Sequence, residues 1–213
     1  MITSAPQFEA KTPTLLTPWA ILKVSLYGMI LVVPVVISMM VVSVLQFGLL
    51  TFLIPLATMA VATIWLPLGF GNPYIARLVR PLQPSANAQL EVQVVQLTRN
   101  PRHRSGLLAL LEDADDVGCL TFTDSALDYN GDSFRLTAPY DRIRELKLQT
   151  AGWRALFVYG PQTTFSVAGL PEAGAFAFSE RSSCLLPTSR KNAKRMYQLL
   201  HEKVQGSARS TAG

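Results

Sequence analysis

The sequence predicts a transmembrane α-helical hairpin followed by a mainly-β, barrel-like domain of about seven short strands with a C-terminal helix as its cap. Three observations carry this prediction. Residues 24–70 contain no Asp, Glu, Lys, Arg or His. From Leu90 onward apolar and polar residues alternate with the period of a strand. From Thr188 the period becomes that of an amphipathic helix.

As one helix, Val24–Phe70 would measure roughly 70 Å against a hydrocarbon core of roughly 30 Å, which suits two crossings. Gln46, Phe47 and Gly48 put a polar amide and a helix-breaking glycine near its middle, so the expected spans are Trp19–Leu45 and Leu49–Leu68 within a hairpin at 19–70. Trp19, Tyr27 and Trp65 fall near the expected span ends, where amphipathic rings settle at headgroup level. Pro34 and Pro55 fall inside the spans and imply kinks with close helix packing. Residues 1–18, with Pro6, Pro13 and Pro18, read as a disordered lead; the apolar run starts too late and continues too long for a secretory signal. Lys11 and Lys23 precede the hairpin, Arg77, Arg80, Arg99, Arg102 and Arg104 follow it, and its turn has no cation. The positive-inside rule then predicts a multi-pass protein of the cell's inner (plasma) membrane with both termini cytoplasmic.

Charge placement narrows the partners. The net charge is +5, yet residues 84–205 carry 14 Lys/Arg against 13 Asp/Glu, so the excess lies beside the hairpin and in the tails. A nucleic-acid surface needs a basic stripe on the folded domain, whereas this placement suits anionic lipid headgroups. Cys119 and Cys184 form no CxxC pair and have no His at ligand spacing, so no zinc site and no cofactor are expected; buried free thiols fit their apolar contexts.

Residues 71–89 leave the membrane. Asn72-Pro73 is a helix start, Tyr74, Ile75, Leu78 and Val79 share one side, and Arg77 and Arg80 reach toward phosphates, which predicts a short interfacial helix and then the linker Pro81–Gln89. Within 90–205 the expected strands are Leu90–Leu97, Gly118–Thr123, Ala126–Tyr129, Ser133–Thr137, Ile143–Leu148, Trp153–Tyr159, Thr163–Val167 and Ala175–Phe178. Asn130-Gly131 predicts a tight two-residue hairpin turn and Gly160-Pro161 another. Thr188 or Ser189 is the expected cap of a helix to Val204, with Ala193, Met196, Tyr197 and Leu200 on one face. Residues 206–213 read as a disordered tail.

The pattern Gly118-x-Leu120-x-Phe122-Thr123, then Leu127-x-Tyr129-x-Gly131, then Pro139-Tyr140-x-x-Ile143, with the terminal helix, resembles pleckstrin-homology (PH)-like domains, including the GRAM-like and bacterial PH-like domains fused to membrane helices. The resemblance covers Leu90–Val204. It implies a PH-like barrel and a binding role rather than catalysis. Phosphoinositide-binding members carry a basic signature in the first strand pair; here the corresponding loop has Arg99, Arg102, His103 and Arg104, and the acidic run Glu112, Asp113, Asp115, Asp116 follows.

Arg77, Arg80, Arg99, Arg102 and Arg104 are therefore the candidate lipid-headgroup contacts, each worth about 1 kcal/mol at an anionic surface. Asp113, Asp115, Gly118 and Asp124 match four positions of a calcium loop, but Val117 stands at a ligand position and a strand follows, so no metal is expected. No nucleophile elbow, P-loop, HExxH or dinucleotide fingerprint is present, and His103 in a basic turn and His201 on the terminal helix read as solvated or packing residues, which argues against an enzyme. The expected function is a membrane-anchored, non-enzymatic binding or scaffolding module that recruits a protein partner, with self-association left open. The rival is a transport or channel accessory subunit in which the hairpin acts; the absence of ionisable residues within it argues against that role.

Overall fold

The computed structural model describes residues 5–28, 32–44, 53–55, 57, 71–84, 91–100, 114–150, 159–170 and 174–212. The strands are β1 (Gln7–Ala10), in the N-terminal lead, and, from the alternating segments, β2 (Glu91–Asn100), β3 (Asp116–Phe122), β4 (Ala126–Gly131), β5 (Phe134–Pro139), β6 (Ile143–Gln149), β7 (Gln162–Val167) and β8 (Ala175–Glu180). All pair antiparallel in one sheet of order β1-β5-β4-β3-β2-β8-β7-β6, curled into a half-barrel. The helices are α1 (Pro18–Gly28), α2 (Val32–Val44), α3 (Asn72–Val79) and α4 (Leu186–Ala212).

Two apolar clusters hold these parts together. Inside the curl, Leu97, Leu120, Leu127, Leu136, Phe165, Phe176 and Phe178 meet Met196 and Leu200 of α4. On the outside of β2 and β3, Leu16, Ile21 and Val24 meet Ile75, Val79, Val94, Val117 and Cys119. Strand alternation explains the division: in β3, Val117 and Cys119 point to the helices while Leu120 and Phe122 point inward. The half-barrel with its C-terminal helix is compatible with the expected PH-like fold.

The membrane hairpin is overturned. α1 has 11 residues and α2 has 13, about 17 and 20 Å against a hydrocarbon core of about 30 Å. Among the described residues no helix is long and apolar enough to cross a membrane, which also removes the basis for multi-pass placement in the inner membrane with cytoplasmic termini. The physical reason is visible in α1: Ala20, Ile21 and Val24 are buried, the last two against the barrel's outer face, so apolar residues assigned to lipid make protein core. The expected second span, Leu49–Leu68, lies outside the described residues except for 53–55 and 57.

Other departures have local causes. Gln7–Ala10, expected to be disordered, pairs with β5. The presumed tail is helical to Ala212. Asn130-Gly131 is not the turn: both residues lie in β4, and Asp132-Ser133 make the connection to β5. Gly131 is needed where it stands because a Cβ there would lie 1.9 Å from an Asp116 carboxylate oxygen and 2.6 Å from the Tyr129 hydroxyl. Its neighbour Gly118 is equally constrained, a Cβ meeting the Asn130 carbonyl at 2.4 Å. The strand expected at Trp153–Tyr159 lies outside the described residues except for Tyr159; β7 pairs with β6 and β8.

Candidate functional site

Two arrangements bear on function: exposed apolar side chains on α1 and α2, and the polar fastenings that tie α3, α4 and the N-terminal segment to the sheet.

The apolar surface begins on α1. With Ala20, Ile21 and Val24 turned inward, Trp19, Leu22, Leu26 and Tyr27 remain exposed, Trp19 at 62%. On α2 the exposed side chains Val33, Val36, Ile37, Met40 (64%) and Val41 recur at three- and four-residue spacing, which places them on one face. A helix lacking charge on every side does not suit water. On α1 a cation and aromatic rings gather: Lys23 Nζ lies 5.5 Å from the Trp19 ring centroid and 6.0 Å from that of Tyr74, and the Tyr27 and Tyr74 rings are 5.9 Å apart. Gly71, just before α3, packs closely on α1: a Cβ there would fall 2.8 Å from Val24 Cγ1.

α3 lies beside α1. Pro73 fits the first helical turn, Ile75 and Val79 are buried, and Arg77 and Arg80 are exposed. The helix expected here is present, but its apolar side contributes to protein core instead of entering a headgroup layer. The remaining candidate arginines separate from this pair. Arg99 stands on β2, its guanidinium 4.9 Å from the Phe8 centroid and 5.4 Å from that of Phe134, while its N–H donates to Asp115 Oδ2 at 2.7 Å. Arg102 and Arg104 lie outside the described residues. Of the calcium-loop carboxylates, Asp115 is thus occupied by a backbone donor and Asp124 faces Lys203 at 3.7 Å.

The fastenings went unrecognised in the sequence. Buried Arg181 donates from Nε to Asn72 Oδ1 at 2.5 Å and from its terminal nitrogen to Gln96 Oε1. Asn72 Nδ2 donates to the Ser183 carbonyl at 2.6 Å. The start of α3 is thereby tied to β2 and to the approach to α4. Glu180 accepts from the Ser182 backbone and hydroxyl and from the Ser189 hydroxyl. Ser189, expected as a helix cap, is therefore a buried anchor within α4.

Two further carboxylates act as fastenings, Asp132 on the N-terminal segment and Asp116 between β3 and the start of β5. Asp132 Oδ1 accepts from the Thr14 and Leu15 N–H groups at 2.8 and 2.9 Å, and Oδ2 accepts from Leu16 N–H at 2.8 Å. Burial opposes its charge, but these donors outweigh it and hold the carboxyl below the usual carboxylate range. Asp116 accepts from Val117, Ser133 and Phe134 N–H groups. There burial wins and raises its pKa to about 6. The buried Tyr129 hydroxyl faces Asp116 outside hydrogen-bond geometry; burial, then the Asp116 charge, push the phenol well above its ordinary range.

Both cysteines are free. Cys119 is buried, which pushes its thiol up to about 11, and Cys184 is partly exposed. No protein-family model matches the chain, and no curated protein matches it.

Proposed function

We propose that this protein is a non-enzymatic binding module that seats on an anionic lipid surface and presents a PH-like half-barrel for recruiting a protein partner. The observation that carries this reading is the set of exposed apolar side chains on α1 and on the uncharged α2, with Lys23 and the rings of Trp19, Tyr27 and Tyr74 close together at α1 and α3. Such side chains lie in an interface at headgroup depth without crossing it. Lys23, Arg77 and Arg80 supply the electrostatic part, each worth about 1 kcal/mol before screening. Arg99 is a weaker candidate than the sequence suggested because its guanidinium rests on the Phe8 and Phe134 rings.

Vesicle flotation of the full chain tests this. Binding to neutral phosphatidylcholine vesicles is expected, strengthened by phosphatidylserine and weakened toward the neutral level by salt. Failure to float with either composition at any salt overturns the reading and leaves the apolar face to a protein partner.

A further inference from the structure

The outer edge of β5 is covered by a segment poorly suited to remain there. β1 is only four residues long, and Gln7, Glu9 and Ala10 are exposed. Phe8 is its one apolar anchor. Its ring stacks on Phe134 at 5.3 Å, tilts against Phe176 at 5.7 Å and lies under the Arg99 guanidinium. The register sets Phe8 opposite Leu136, Glu9 opposite Arg135 and Ala10 opposite Phe134. Both Glu9 and Arg135 are exposed, forming an oppositely charged cross-strand pair. Strong fastening begins only beyond it: Lys11 Nζ donates to Asn130 Oδ1 at 2.7 Å, and Asp132 secures Thr14–Leu16. Exposed Thr12 and Pro13 lie between these points. A short element with few buried contacts opens at far lower cost than the sheet beneath it.

We propose that the β5 edge is a docking site for an extended peptide segment of a partner protein, with Gln7–Ala10 as its resident, displaceable occupant. Strand addition supplies main-chain hydrogen bonds for affinity and alternate side-chain seats for specificity. The seats prescribe the partner's pattern: an aromatic residue for the place between Phe134, Phe176 and Arg99, then an acidic residue opposite Arg135, then a small residue opposite Phe134. The resident segment competes at the high effective concentration of an intramolecular ligand, so the site takes a partner only when that segment yields. This site does not depend on the lipid seat, and its test uses no vesicles.

The probe is a fluorescent synthetic peptide copying residues 5–11, titrated against the full chain and read by anisotropy. Phe8→Asp in the chain is expected to tighten peptide binding at least tenfold, and replacing the peptide's own phenylalanine by alanine to abolish it. Equal binding by wild type and a folded Phe8→Asp chain, or indifference to the peptide's aromatic residue, overturns the proposal. Should Phe8→Asp lose its circular dichroism, Glu9→Arg, which sets like charges opposite one another, is judged by the same comparison. A wild-type dimer that disappears on Phe8→Asp would assign the edge to a second copy and overturn the partner reading.

Discussion

At the scale of single residues, Asp116 and Asp132 show how position decides the behaviour of one side-chain type. Both accept backbone donors, yet burial prevails at Asp116 and the donors prevail at Asp132. The consequences for stability have opposite signs. Between 3.8 and about 6 the folded state retains a proton on Asp116 that the unfolded chain has released, so its contribution falls as pH rises through that window, by up to about 3 kcal/mol. Asp132 stabilises above its unfolded value of 3.8, and that contribution is lost as pH falls through its lower folded value. Urea unfolding across the window from 3.8 to about 6 is expected to show declining stability attributable to Asp116, with the decline flattened in Asp116→Asn. An unchanged slope in that variant would remove Asp116 as its source.

At the scale of elements, the Asp132 fastening joins the N-terminal segment to the β4–β5 connection over more than a hundred residues of sequence. Asp132→Ala leaves the Thr14, Leu15 and Leu16 donors without their acceptor, so a loss of about 2 kcal/mol is expected. Hydrogen exchange at Leu15 and Leu16 should accelerate in the variant while β3 and β8 remain protected. Exchange accelerated equally throughout would show that Asp132 supports the whole sheet.

The same elements show what was legible. Alternation identified the cores of β2–β8 because each buries one or both faces, and the face of Ala193, Met196 and Leu200 identified α4. The local rule for Asn-Gly failed at residues 130–131 because Gly131 is fixed by Asp116 and Tyr129, while Asp132 is drawn to the N-terminal segment. Likewise, nothing local marks Gln7–Ala10 as a strand; its pairing depends on β5 and its ring on Phe176. Of the candidate arginines, Arg77 on α3 and Arg80 just past its end are exposed whereas Arg99 turns to the Phe8 and Phe134 rings, a separation that sequence spacing does not reveal.

At the scale of the whole molecule, hydropathy located an unusual apolar stretch but could not distinguish residues that pack on the sheet from residues left outside. Ile21 and Val24 belong to the first kind, Ile37 and Met40 to the second. The proposed function depends on the second kind. The most direct test is vesicle flotation of the full chain carrying Ile37→Asp and Met40→Glu together. Both sites are exposed, so circular dichroism of the sheet should be unchanged. The account predicts that wild type floats with phosphatidylserine-containing vesicles and that the doubly charged variant remains at the bottom of the gradient. A folded variant that floats as wild type does would contradict it.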